Sequence, residues 1–525
     1  MKNQLTRRVG EAGIIGMLLV LLLLNLVAGT HWLDSDMAAE MMFSKLLAEE
    51  GHLFGSTHWY YSTEFRVLYT QVIMTPLFHI FGSWHVIRVL TNMLCYLLLL
   101  LSYWYMMVPL KLKRRSVLLG GVAVLMPFSE TLMLHMHMGN TYMPHVILMF
   151  FYLGALLRLR KAEHVREEKL ALIVVSVLSL VFGLSGVRYF MLLLAPILLA
   201  FLWQIWRTRG EMLKADATKC KVRSFGISLV AALVGYGIHA IVITKAFQFQ
   251  TYDVTTFIQV FQGYFLDRIQ NAFGALLMIL GYIPKANVLS PRGIFGLFSF
   301  LLLLILILVR KGLQAKLADM SEERRFLVFF WDALVFVNLF LFVFTDTTMV
   351  PRYYIPIWAF TIVLFVLYLE MAEEGFEKKV LLYGAGIMVL LGTVKEAASL
   401  VTTDKNQDRM GAISFLQDHD YHFGYATYWN GNIMEELSDG AVEVAALEDL
   451  EEKNLFRWSS KTVYFEPDYY EGPVFLLTTL AETDAHVEDA LLQKGQEVYR
   501  DASFVIYSYE NQKSFLEILN EKVAE

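Results

Sequence analysis

Long apolar runs separated by short charged loops set the pattern of this chain. The first run, residues 12–29, has about the length that crosses a bilayer. Others fall near 85–108, 116–135, 143–158, 170–185, 187–206, 225–246, 293–309, 326–345, 353–371 and 380–400. Together they predict about 11 membrane-spanning helices. Residues 271–284 are too short to span comfortably and read as a re-entrant or interfacial segment, tolerable where protein or water lines it. Between the first two runs the spacing predicts an amphipathic helix over 36–50, with Met37, Met41, Leu46 and Leu47 near one face. A second apolar stretch, 65–81, is interrupted by Pro76 and is expected along the membrane surface.

Past residue 400 the pattern changes. Residues 406–417 read as helix, and Tyr421–Tyr428, Ala441–Ala446, Thr462–Phe465, Val474–Thr478 and Phe504–Tyr509 read as strands. The fold expected is therefore a polytopic α-helical membrane protein, residues 1–400 with a structured outer loop at 30–83, followed by a soluble α/β domain at 401–525.

Composition supports that division. The chain has 525 residues, 56% hydrophobic and 14% aromatic, with a formal charge of −6 and a mean hydropathy of +0.49. Residues 1–400 hold 35 Lys and Arg against 25 Asp and Glu, whereas 401–525 hold 9 against 25. Charges of +10 and −16 mark two different kinds of domain. Lys2, Arg7 and Arg8 precede the first run, and 25 of the 35 basic residues lie at the N-terminus or in alternate loops. The positive-inside rule then puts the N-terminus in the cytoplasm and the acidic tail outside, in a cell membrane. The first run is longer than a signal-peptide core and reads as a retained span. Cys95 in a span and Cys220 in a basic loop are not expected to pair. The tail carries no glycine-rich phosphate loop and no Cys/His metal spacing, and nothing points to a nucleic-acid partner.

Candidate chemistry concentrates at the outer ends of the runs. Asp34-Ser35-Asp36, with Glu40 behind it, directly follows the first run. Alternate carboxylates there can converge on one acceptor hydroxyl or on Mg²⁺ or Mn²⁺; the competing reading is that Asp34 caps the next helix. Trp59-Tyr60-Tyr61, with Glu64 and Arg66, follows in the same loop. Such aromatics stack on sugars, and they also gather at membrane interfaces. Glu130, His135, His137, Asn140 and His145 cluster near the third run, and with Asp36 the first three make a candidate metal set. Arg88, Arg188 and Arg352 are isolated cations at the ends of runs, able to hold a phosphate or to snorkel to headgroups. Arg352-Tyr353 lies between Pro351 and Pro356. Lys285 and Arg292 are weaker candidates of the same kind.

In these features the chain resembles the GT-C superfamily of integral-membrane glycosyltransferases, and is similar to its protein mannosyltransferase and aminoarabinose transferase type. Asp34 and Glu40 match the acidic residue and the Glu six positions later found on the first loop helix. Leu77 to Gly82 is similar to the apolar-then-Gly segment before the second span, and Arg352-Tyr353 with Pro356 to a late Arg-Tyr…Pro element. The Lys-Pro-Pro stretch of several branches is missing; Glu64-Phe65-Arg66 stands roughly there. The resemblance implies a sugar donor linked to polyprenyl phosphate, an acceptor that is a glycan, lipid or protein, and inversion at the sugar. It implies that Asp34 serves as base or metal-associated carboxylate and that Arg352 binds the lipid phosphate. Two other functions fit the spans: a transporter or flippase of a lipid-linked saccharide, and a scaffold presenting the acidic tail. The first would not need carboxylates gathered in an outer loop, and no paired halves are visible. The second leaves Asp34, Glu130 and Arg352 without a task.

Overall fold

A computed structural model describes residues 2–159, 165–207, 216–250, 256–261 and 263–520. Parts of two basic loops, 160–164 and 208–215, and the Cys220 side chain lie outside the described residues. The chain divides into two compact units. One comprises Met1–Leu23, Met93–Ile241 and Asp253–Ser399. The other comprises Leu24–Asn92, Val242–Tyr252 and Leu400–Glu525, so the loop after the first run belongs with the C-terminal segment.

Among the described residues, eight helices are long and apolar enough to cross a membrane, or nine if one bent pair is a single span. That is fewer than the eleven apolar runs suggest. The run at 116–135 is not one helix: helix Arg114–Val124 stops ahead of Pro127, whose ring and missing N–H do not suit a helix interior. Ser129 then caps a new helix at Glu130–Leu132, which widens into a π-helical turn at Met133–Met138. Gly139 and Asn140 (φ 54°) end it, and Met143–Leu159 leaves at 78°. The run at 170–185 lies in helix Val165–Leu184, whose first turns carry Arg166, Glu167, Glu168 and Lys169. The short segment at 271–284 corresponds to helix Phe265–Ile279, 15 residues or about 22 Å of rise, too little for a ~30 Å hydrocarbon core.

Helices of this first unit approach closely where side chains are small. A Cβ on Gly183 would sit 2.0 Å from the Ala232 carbonyl oxygen, and one on Gly235 2.2 Å from that of Leu180. Ser179 and Ser228 share a hydrogen bond of 2.6 Å along the same seam, and the Tyr152 hydroxyl reaches Ser228. Small residues and interhelical hydroxyls are what join helices where lipid removes the hydrophobic drive.

The second unit has its own core. Its sheet runs Glu443–Leu447, Phe423–Thr427, Val474–Thr479, Phe504–Tyr509, Gln496–Arg500; the first three strands are mutually parallel and the last two join antiparallel. Ala412, Ile413 and Leu416 of helix Gln407–Asp418 pack against Ala426, Val444, Phe475 and Ile506. The α/β expectation therefore holds, with two differences. Thr462–Phe465 is a 3₁₀ turn, because Tyr464 turns inward to hydrogen-bond Glu435. The edge strand Gln496–Arg500 carries no strand pattern in the sequence, since its mostly exposed polar residues lack the alternation of a half-buried strand.

Helix Ser35–Glu50 is not a surface helix. Met37, Met41 and Leu47 are buried as the spacing suggests, but so are Met42, Phe43 and Ser44 on other sides. Helix Gln71–Phe78, the helical part of the 65–81 stretch, covers one of them: Thr75 donates to the Ser44 carbonyl at 3.3 Å. Helix Tyr428–Leu437 of the C-terminal segment covers another.

Candidate active site

Within the second unit the acidic motif forms the start of helix Ser35–Glu50. Asp34 is extended (φ −120°, ψ 172°), and its Oδ1 accepts from the Met37 N–H at 2.9 Å. It therefore caps the helix, using one carboxylate oxygen. Asp36, in the first turn, accepts from the Tyr428 hydroxyl at 2.9 Å. The Ser35 hydroxyl donates to the Tyr428 carbonyl at 2.6 Å, so one tyrosine is held from both sides of the motif.

Glu40 pairs with Arg66, which also lies 3.6 Å from Glu64 and over the Tyr69 ring at 4.6 Å. Burial pushes the Glu40 carboxyl above its ordinary range, while Arg66 pulls it back. Arg88 is 1% exposed. Its guanidinium makes a two-point contact with Glu436, with Nη2 to Oε2 at 2.6 Å, and donates to the Met37 carbonyl at 3.0 Å. Burial raises the Glu436 carboxyl and the Arg88 charge opposes it. The expected phosphate ligand Arg88 is thus an internal strut. Trp59 likewise differs from expectation: it is 4% exposed and packs on Phe43 at 5.2 Å, and with Tyr61 also buried, Tyr60 is the half-exposed member of the three aromatics, beside Phe465.

The arginines of the first unit lie among aromatic rings. Arg188 donates to the Tyr142 hydroxyl at 2.9 Å and lies over the Tyr142 and Tyr353 rings at 5.4 and 5.8 Å. Tyr353 stacks on Phe342, nearly parallel at 5.4 Å. Arg352 is half-buried and close enough to His135 and Tyr142 to act on both electrostatically. His145 shares a 2.7 Å hydrogen bond with Tyr189, and His135 one of 2.8 Å with Thr141. Two cations framed by hydroxyls and ring faces suit a phosphate carrying an apolar chain.

The candidate metal set does not assemble. Among the described residues no three His, Cys, Asp or Glu side chains gather where they could hold an ion. Glu130 is exposed, whereas His137 faces Tyr96 and lines a small, mostly apolar cavity with Leu99, Met136 and Trp358. His135 turns instead to Thr141. Among the described residues, Asp36, Glu130, His135 and His137 therefore form no ion-binding group.

Sequence reasoning missed Tyr428, Glu436 and Tyr142. Nothing local marks the first, whose partner lies 392 positions away. The Glu435-Glu436 pair inside Ile433 to Leu437 was the available sign, since two carboxylates in an apolar helix need partners.

No protein-family model matches the chain, and no curated protein does. Among solved structures it is similar to ArnT from Cupriavidus metallidurans in the apo state, at 13% identity over 94% of this chain and 97% of that one, with a TM-score of 0.49. The same protein bound to undecaprenyl phosphate aligns at 12% identity over the same shares, with a TM-score of 0.43. AglB, the archaeal oligosaccharyltransferase from Archaeoglobus fulgidus, in complex with an inhibitory peptide and a dolichol-phosphate, aligns at 10% identity over 88% and 69%, with a TM-score of 0.46. At these scores the likeness is loose, and the functional reading rests on this chain's own residues.

Proposed function

We propose that this protein is a membrane glycosyltransferase that moves a sugar from a polyprenyl-phosphate donor to an acceptor hydroxyl or amide on the outer face of a cell membrane. The observation that carries this reading is the carboxylate pair Asp34 and Asp36, fixed at a helix start by a cap and a tyrosine. A transporter has no need for such a fixed pair. In the reaction the acceptor oxygen or nitrogen attacks the anomeric carbon, the bond from that carbon to the phosphate oxygen breaks, and the acceptor proton passes to Asp34. The lipid phosphate leaves with the bonding electrons. Arg352 and Arg188 stabilise its growing charge, with Tyr142 holding Arg188 and Tyr353 beneath it. Glu40 serves the site indirectly, by pairing with Arg66. Inversion at the sugar follows from a single in-line displacement. The N-terminus inside and the acidic segment outside remain our reading of the loop charges.

Purified protein in liposomes, given sugar-labelled undecaprenyl-phosphate donors and a panel of lipid, glycan and peptide acceptors, tests this. Label covalently joined to an acceptor is the expected result. Label that crosses the bilayer still attached to its carrier would establish the flippase instead.

A further inference from the structure

Tyr428 opens helix Tyr428–Leu437 in the C-terminal segment, yet its hydroxyl and its carbonyl both bond the acidic motif nearly four hundred residues earlier, the hydroxyl also meeting Ser459. Its hydroxyl donates to Asp36 at 2.9 Å and its carbonyl accepts from Ser35 at 2.6 Å. The ring is 5% exposed and is held edge-on by Phe456 at 5.4 Å. The turn beneath it is braced: Asn430 donates to Thr427 at 2.9 Å, and Arg409 donates to Asn430 at 2.9 Å. Burial first, then the charges of Asp36 and Asp34, push the phenol well above its ordinary value, so it stays a donor. Farther along the helix, Asn432 reaches the Ser35 carbonyl at 3.4 Å, and Glu436 takes Arg88. A buried phenol whose hydroxyl faces a half-exposed carboxylate fixes the direction in which that carboxylate points.

We infer that Tyr428 is a positioning residue for the Asp34-Ser35-Asp36 site. Its hydroxyl orients Asp36 and its carbonyl, through Ser35, sets the helix start between the two carboxylates. The C-terminal segment is then part of the transfer site and not merely an acceptor-binding appendage. This rests on the glycosyl-transfer reading above, with Asp36 acting beside Asp34.

The test compares wild type, Tyr428→Phe, Asp36→Asn and the double variant as full-length protein. Phe keeps the ring and removes only the donor. Tyr428→Phe is expected to lower kcat about tenfold, with the donor KM within about twofold of wild type. In the Asp36→Asn background it should change kcat by less than about twofold, because two groups that act as a unit do not multiply their losses. An unchanged kcat in Tyr428→Phe, or losses that multiply in the double variant, would overturn the inference. Amide exchange across residues 34–38 reads the same contact without turnover: faster exchange in Tyr428→Phe is expected, and identical exchange counts against it. If wild type transfers no sugar while the exchange still responds, the glycosyl-transfer reading falls and the positioning contact stands. Should Tyr428→Phe not fold, Ser35→Ala removes the other contact; it should also speed exchange there, and unaltered exchange rejects the inference.

Discussion

In the unit that holds the acidic motif, buried charge is abundant and each charge has its counterpart. Arg88 meets Glu436, Lys461 meets Glu435 and Glu443, and Tyr464 donates to Glu435. Burial pushes the Lys461 ammonium down, but the two carboxylates more than reverse it. In the unit built around the apolar helices, helix contacts rely on glycine and serine seams such as Gly183, Gly235, Ser179 and Ser228. The first arrangement specifies one docking by pairing atoms far apart in sequence, and it fails electrostatically when one partner is lost. The second specifies docking by close approach, and it fails sterically. The carboxylates proposed to act, Asp34 and Asp36, lie in the first kind of surroundings, where hydrogen bonds define direction. The arginines suited to a lipid phosphate are found in the second, framed by rings.

The largest stability effect expected is at the Arg88–Glu436 pair. Arg88→Ala should cost about 3–5 kcal/mol, because it strands a buried carboxylate. Denaturant unfolding of the detergent-solubilised protein, followed by proteolysis of the C-terminal segment, measures it. Replacing both partners by Met should recover most of the loss. If the single and double variants are equally damaged, the pair is not what holds helix Tyr428–Leu437.

Next in size is the glycine seam. Gly235→Val places side-chain atoms where the Leu180 carbonyl now lies, and overpacking of this kind costs about 1–3 kcal/mol. Thermal melting should register it. The exchange of amides 34–38 should not change; a response there would break the distinction drawn between the two units.

The smallest effect is expected at Trp429, 60% exposed beside Tyr428. Trp429→Ala should shift stability by no more than about 0.5 kcal/mol in the same denaturant assay. A loss several times larger would mean that the ring is covered in the folded protein.

Much of the architecture was legible in the pattern of residues. The apolar runs mark most of the long helices, and the change of pattern past residue 400 marks an α/β sheet with Phe423–Thr427 and Phe504–Tyr509 close to their expected places. The position of Asp34 at a helix start was legible as well, and so was the choice between base and cap. The structure realises the cap through one oxygen of that carboxylate. What could not be read was partnership. Arg88 looks like a phosphate ligand until Glu436, 348 positions away, is seen beside it. Trp59 looks like a sugar platform until Phe43 covers it. Pro127 is the local sign of the break in the run at 116–135, set against the strong hydrophobicity of its flanks.

If the carboxylate of Asp34 takes the acceptor proton as proposed, removing its charge stops transfer while leaving the fold intact. Sugar transfer from a polyprenyl-phosphate donor by wild type and by Asp34→Asn, with melting temperatures of both, tests it most directly. Asn caps helices as well as Asp does, so the fold should be kept. A fall in kcat of about 10²–10⁴-fold at unchanged melting temperature is expected. Equal transfer by the two proteins would contradict it and leave Asp34 as a helix cap alone.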